Sequence, residues 1–340
     1  MSKKERERER ESGLVNIGNT CYINTGAQIL NYIGPLRVYM SEKYADDLNE
    51  KSEQEFVRAF SSLIRSLSEG HYAIRPNTFV RCLKRFHTTF MGMSQEDSCE
   101  AFLKMIDLLH TGLSYKVKMT LVKKGATDLD RLSFDAWNTQ ISRTGYSIIM
   151  KLFYGQLLNR TKCDECHKES YRFDMFNVLN FPITNSTNTL FDSIGHYVIS
   201  ENMRGENRIE CENCGGLRAG KIKKSVYIPP PVLVFCFNRF DNDGHKISKR
   251  IDFPIDNVRF PMLFEKPENH MNTYDLVGIG NHSGNLLGGH YWAYCRSGSR
   301  WIKADDETIS DISWDSLVSS NSYYLVYQRR GINQHFIESS

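Results

Sequence analysis

No run of apolar residues in this sequence approaches the roughly 20 needed to cross a bilayer. The first 12 residues, which after Met1 are almost all Lys, Arg or Glu, lack the apolar core of a secretory leader. An excess of one charge is also missing: 43 basic residues face 40 acidic ones, for a formal charge of +3. A dedicated nucleic-acid binder concentrates positive field on one surface, so nucleic acid is an unlikely partner. Nine cysteines in 340 residues are too few for a disulfide scaffold. No repeat of fixed period is visible. These absences leave a soluble intracellular protein, cytoplasmic, nuclear or both, in a reducing compartment and with no membrane partner. What remains is ordinary globular composition, 40% hydrophobic and 24% charged. At this length two or three subdomains sharing an interface are expected rather than one core.

Residues 1–12 can bury nothing and are expected to form a charged flexible arm. From Gly13 a Gly- and Asn-rich turn leads into Cys21, and Ile23, Ala27 and Leu30 then follow at helical spacing. Further helical patterning covers 53–67 and 76–86. It resumes after Ser94, where Cys99, Phe102, Ile106 and Leu109 form one stripe. Beyond Gly155 the texture changes to short β-branched and aromatic runs at 225–228, 232–237, 274–278, 291–295 and 323–327, which predict strands. Ser297, Gly298 and Ser299 read as the turn of a hairpin leading to Trp301. The polar stretch 114–144 has little periodicity and is expected to be an insertion or long loop.

Cysteine is a good nucleophile only as thiolate, and a helix start favours negative charge. Cys21 stands at such a start and is expected to have a lowered pKa. Far downstream, Gly288 and Gly289 precede His290 and Tyr291 in a strand, where two glycines would let a peptide backbone pass close to the imidazole. Asn16 can donate to a developing oxyanion, and Asp305 or Asp306 can hold the imidazole tautomer. Taken singly, each residue has a plainer reading: a buried thiol, a satisfied core histidine, a solvated turn.

Taken together they resemble a known family. Gly-Leu-Val-Asn-Ile-Gly-Asn-Thr-Cys-Tyr-Ile-Asn at 13–24 closely resembles the cysteine box of the ubiquitin-specific proteases. A histidine box is similarly legible in His282-Ser283-Gly284, Gly289-His290-Tyr291-Trp292-Ala293-Tyr294, Trp301 with Asp305-Asp306, and Tyr323-Tyr324-Leu325-Val326-Tyr327. Gln95-Glu96-Asp97 with Glu100-Ala101-Phe102, Asn238-Arg239-Phe240, and Lys249 leading to Phe253-Pro254 lie between the boxes, so the likeness spans 13–330.

The resemblance implies an α+β, papain-like cysteine protease fold. It assigns a helical thumb to 13–155, zinc-bearing fingers to 156–228, a β-rich palm to 229–330 and a tail to 331–340. It also implies Cys21 as nucleophile, His290 as base, Asp305 as the orienting third member, Asp306 as a supporting polar residue and Asn16 as an oxyanion donor. His282 is a rival base that the resemblance assigns to a loop. Two departures, Ala304 where an aromatic residue is usual and Thr25 where serine is usual, bear on packing rather than chemistry.

The implied reaction is hydrolysis of the isopeptide or peptide bond after the C-terminal glycine of ubiquitin, with ubiquitin and ubiquitinated proteins as partners and no cofactor in the chemistry. Asp97 and Glu100 match residues that hold the arginine-bearing ubiquitin tail, although at a helix start they also suit a capping box. Gly289 and Tyr291 match the channel at the cleavage point, although strand alternation puts Tyr291 opposite His290 and toward the core. Cys163-x-x-Cys166 and Cys211-x-x-Cys214 are paired knuckles whose four thiolates favour a closed, structural zinc site. Two other readings use the same features: a catalytically silent ubiquitin-binding protein of this fold, and a protease for another ubiquitin-like modifier.

Overall fold

The computed structural model describes residues 11–70, 72–90, 95–122, 126–241, 243–266, 272–285 and 288–332. Most of the expected arm and residues 333–340 of the expected tail therefore lie outside the described residues. The last two arm residues are packed rather than solvated. Glu11 pairs with Arg300 at 2.8 Å, and the Ser12 carbonyl accepts from Gln28 Nε2 at 2.9 Å.

Among the described residues, seven α-helices precede the first strand: Cys21–Asn31, Gly34–Glu42, Gln54–Glu69, Asn77–Phe86, Ser98–Leu113, Asp128–Thr144 and Ile148–Phe153. The buried stripes of all of them except Asp128–Thr144 make one core. In Gln54–Glu69, Phe56, Phe60, Leu63, Ile64 and Leu67 recur every three or four residues and are buried, and the helix stops at left-handed Gly70. The helix expected after Ser94 starts at Ser98, with Asp97 as its N-cap; Ser94 itself is outside the described residues.

The stretch 114–144 corrects the loop expectation, because its second half is the helix Asp128–Thr144. Thr127 and Asp130 form a reciprocal capping box at its start. Only Ser133 and Ile141 of this helix are buried, which left too sparse an apolar stripe to be read from sequence.

The strands are β1 (Gly155–Cys163), β2 (Glu169–Phe176), β3 (Leu179–Pro182), β4 (Glu201–Met203), β5 (Ile209–Cys211), β6 (Gly216–Arg218), β7 (Gly220–Ile228), β8 (Val232–Asn238), β9 (Tyr274–Asn285), β10 (Gly288–Ser297), β11 (Arg300–Asp305), β12 (Thr308–Ile312) and β13 (Ser322–Arg329). A further helix, Leu190–Val198, lies between β3 and β4. The main sheet runs β12-β11-β10-β9-β13-β8-β3, antiparallel except for β3 on β8. A second sheet, β2-β1-β7-β4, and the β5-β6 hairpin carry the paired cysteines.

The main sheet is covered on both faces, which explains its near-continuous apolar strands. Tyr291, Ala293, Cys295, Tyr324 and Val326 pack toward the helices. Phe235, Leu276, Trp301, Leu325 and Tyr327 fill the opposite core with Leu190 and Ile194. The β10–β11 turn is the expected hairpin: Ser297 pairs with Arg300, and Gly298 takes φ 61°. Ala304, the departure from the family pattern, is buried opposite Ala293. Among the described residues, no helix is long and apolar enough to cross a membrane.

Gly280 shows how tightly the strands are fitted around the Cys21 helix. A β-carbon there would stand 2.0 Å from the Tyr324 ring. Gly280→Ala is expected to cost about 1–3 kcal/mol through overpacking, read as a lower denaturation midpoint. An unchanged midpoint would mean that the ring has room to move.

Candidate active site and cysteine cluster

The turn before Cys21 is shaped by one side chain. Asn16 Oδ1 accepts from the backbone N–H of Gly18 at 3.2 Å and of Thr20 at 3.0 Å, while Gly18 and Asn19 adopt φ of 108° and 51°. This accepting role fixes the amide orientation, so Asn16 Nδ2 faces the other way and donates to Asp306 Oδ2 at 3.0 Å. Cys21 is the first residue of its helix and is 3% exposed. Gln95 Nε2 donates to its Sγ at 3.1 Å, and the backbone N–H groups of Tyr291 and Tyr22 also reach it.

Burial pushes the Cys21 thiol up, the hydrogen bonds from Tyr291, Gln95 and Tyr22 pull against it, and the Asp306 carboxylate adds to the rise. The net direction is upward. The expectation of a lowered thiol pKa is therefore corrected: at this depth desolvation outweighs the helix start.

His290 on β10 and Asp305 at the end of β11 meet across the hairpin, with imidazole Nε2 2.5 Å from carboxylate Oδ1. An ionised carboxylate only accepts, so Nε2 carries the proton and Nδ1 is the basic nitrogen. Burial works against the Asp305 charge, but hydrogen bonds from Lys303 and His290 outweigh it and hold the carboxyl below its ordinary value. Asp306, next in the chain, takes φ 49° and turns the other way. It accepts from Asn16 and, at 2.8 Å, from Asn24 Nδ2, while its carbonyl accepts from the Leu14 N–H at 2.8 Å.

The remaining candidates divide by burial. Gly289 donates its N–H to Gln95 Oε1. A β-carbon on it would lie 2.2 Å from the Ser283 carbonyl and 2.5 Å from His282 Nε2, so only glycine fits. The Tyr291 side chain lies on the core face, 5% exposed, its ring centre 4.5 Å from that of His282 and tilted 31° to it. Its approach to the thiol is through its backbone.

His282 is not in a loop but in β9, 2% exposed. Burial, with Lys246 and His290 nearby, lowers its pKa to about 4. A neutral, enclosed ring of this kind is a poor rival base. Asp97 caps its helix by accepting from the Glu100 N–H at 2.8 Å and also accepts from the Tyr323 hydroxyl; Glu100 itself is exposed.

Three contributors had no role assigned from sequence. Gln95 bridges Cys21 to Gly289 and was visible only as part of a motif. Asn24 lies three residues after Cys21 on one helix face, and Lys303 two residues before Asp305 on one strand face. Those spacings were the available signals.

The sequence profile described as "Ubiquitin carboxyl-terminal hydrolase" matches residues 12–327. The chain belongs to that family. Ubiquitin carboxyl-terminal hydrolase 2 from Homo sapiens is 30% identical over 336 residues, covering 93% of this chain and 55% of that protein. Usp2 from Drosophila melanogaster is 28% identical over 337 residues, covering 96% and 36%. The chain thus spans about half the length, or less, of these relatives. Among solved structures, the SAGA Ubp8/Sgf11/Sus1/Sgf73 DUB module bound to ubiquitin aldehyde shares the fold with a TM-score of 0.75 at 23% identity, covering 96% of this chain and 71% of the other. The SAGA DUB module bound to monoubiquitin gives a TM-score of 0.76 at 22% identity.

In this ubiquitin carboxyl-terminal hydrolase chain the two Cys-x-x-Cys knuckles converge as the sequence implied. Cys163, Cys166, Cys211 and Cys214 bring their sulfurs within 4.8 Å of one another, a set able to hold one metal ion. Cys163 ends β1 and Cys211 ends β5, so such an ion would clamp the second sheet to the β5-β6 hairpin.

The upward shift at Cys21 makes a prediction for the resting protein. Labelling of Cys21 by iodoacetamide, followed by peptide mapping, is expected to be slow at about pH 7 and to accelerate only above the ordinary thiol range. Labelling already complete near about pH 6 would instead reveal a thiolate–imidazolium pair at rest.

Proposed function

We propose that this chain is a thiol-dependent deubiquitinase that hydrolyses the bond after the C-terminal glycine of ubiquitin. The observation that carries this reading is the seating of the Cys21 helix against β10. There the N–H of Tyr291, adjacent in the chain to His290, reaches the thiol while His290 is held by Asp305. Membership of the family supports ubiquitin, alone and joined to other proteins, as the substrate partner.

In this reading His290 Nδ1 takes the Cys21 proton and the thiolate attacks the glycine carbonyl carbon. The oxyanion accepts from the second Nδ2 hydrogen of Asn16 and from the Cys21 backbone N–H. The C–N bond breaks as His290 returns its proton to the departing lysine amine, leaving a thioester. Water, deprotonated by the same imidazole, then attacks the thioester and releases ubiquitin and the thiol. Asp305 stabilises the imidazolium in both halves. The raised resting pKa of Cys21 fits this scheme, because thiol deprotonation is then coupled to attack rather than completed beforehand. In this reading Gly289 borders a narrow channel for the glycine tail, and Asp97 and Glu100 offer carboxylates for its arginines.

The four-cysteine cluster fits zinc. Tetrahedral zinc–sulfur bonds of about 2.3 Å set sulfurs about 3.8 Å apart. The Cys166–Cys211 and Cys163–Cys214 pairs stand at 3.6 and 4.0 Å. With four protein ligands the ion has no open position and serves structure alone. All nine cysteines are free, which suits a reducing compartment inside the cell.

Cys21→Ala is expected to abolish release of a fluorophore from the ubiquitin C-terminus while ubiquitin binding persists; retained turnover would remove the proposal. The same assay with other ubiquitin-like modifiers reads the substrate class. Elemental analysis is expected to find one zinc per chain, lost in a Cys163→Ser/Cys211→Ser variant. Metal-free wild-type protein with full thermal stability would contradict the zinc assignment.

A further inference from the structure

The hairpin that carries the base and its carboxylate presents one more ordered group on the same face. Strand alternation puts His290, Trp292 and Tyr294 on one side of β10. Tyr294 pairs directly with Lys303, so Lys303 and, two residues on, Asp305 share that side of β11. Lys303 Nζ lies 2.6 Å from Asp305 Oδ2, the oxygen that His290 leaves unused. The same ammonium stands 5.2 Å from the centre of the Trp292 ring. Trp292 in turn lies 22° from parallel with the His290 imidazole, ring centres 6.1 Å apart. Four side chains thus form a closed circuit: imidazole to carboxylate, carboxylate to ammonium, ammonium to indole, indole to imidazole.

We propose that Lys303 is a positioning residue for the reaction described above, with Trp292 as its seat. A carboxylate bound on one oxygen can pivot about its Cβ–Cγ bond and lose the imidazole. Binding of the second oxygen by Lys303 removes that freedom and keeps Oδ1 on Nε2. Lysine is long and its side chain here is 35% exposed, so an isolated ion pair would exchange readily with water. The indole face supplies the second attachment that holds the ammonium over the pair. The indole also limits rotation of the imidazole, whose Nδ1 must meet the thiol. Misplacement of a reacting group by about 1 Å is enough to cost on the order of a hundredfold in rate. Lys303 therefore acts on kcat through Asp305 and touches neither substrate nor thiol.

This inference rests on the hydrolase reading, and the test separates the two. If that reading fails, the wild-type chain itself does not turn over a ubiquitin reporter. If it stands, Lys303→Met is expected to lower kcat by about ten- to a hundredfold with KM within about twofold. The thermal midpoint should stay unchanged, and the low-field proton resonance of the His290–Asp305 hydrogen bond should broaden or vanish. Lys303→Arg, which keeps both the charge and the cation–π contact, is expected to recover kcat to within about threefold of wild type. Trp292→Leu is expected to lower kcat as well, and the double variant to lose less than the product of the two single losses, since part of what the indole does is to hold Lys303. A Lys303→Met protein with kcat within about threefold of wild type would overturn the proposal. So would failure of folded Lys303→Arg to recover activity. If Lys303→Met does not fold, Lys303→Gln is read by the same criteria.

Discussion

The turn at Asp306 is the contact on which the site depends. Its carboxylate receives amide hydrogens from Asn16 and Asn24, its carbonyl receives the Leu14 N–H, and its left-handed backbone lets Asp305 face the opposite way toward His290. One short turn near the C-terminal end of the sequence thereby anchors both the loop that presents Cys21 and the carboxylate that orients His290. Gly13 belongs to the same junction, since a β-carbon there would lie 2.2 Å from the Glu307 carbonyl. Without this junction the helical part and the main sheet would still share a core, but the loop before Cys21 would lose its tie to the turn that carries Asp305.

Two opposite electrostatic environments follow from that junction. The thiol is buried and near a carboxylate, so its charged form is disfavoured; Asp305 is ringed by donors, so its charged form is favoured. In the proposed reaction, a protonated Cys21 and an ionised Asp305 hold the proton where His290 would collect it. The two structural clamps lie apart from this chemistry. The four cysteines gather the ends of β1 and β5, and Arg239, fully enclosed, ties the Ser322, Ile247 and Lys249 carbonyls together.

Much of this was legible in the sequence because strong local signals coincided with the site. The cysteine turn, the Gly-Gly-His strand and the paired knuckles each carry unusual residues at fixed spacing. Helix and strand textures divide near Gly155, where β1 begins. What could not be read depends on tertiary context. The helix Asp128–Thr144 buries two residues, too few to leave a stripe. The thiol pKa depends on depth below the surface, which sequence does not reveal, and depth won over the helix dipole. The resemblance assigned His282 to a loop, yet β9 continues through it to Asn285. Gln95 acts through Cys21 and Gly289 and Asn24 through Asp306, partners far off in the chain, and no local pattern announces such pairings.

The central claim is that Cys21, aligned by this junction, attacks the carbonyl at the end of ubiquitin. Incubation of the protein with a ubiquitin bearing a C-terminal electrophile, followed by intact mass measurement and peptide mapping, tests it most directly. The account predicts one ubiquitin per chain, attached to the Cys21 sulfur. Attachment to another cysteine, or no adduct from a folded chain that binds ubiquitin, would contradict it.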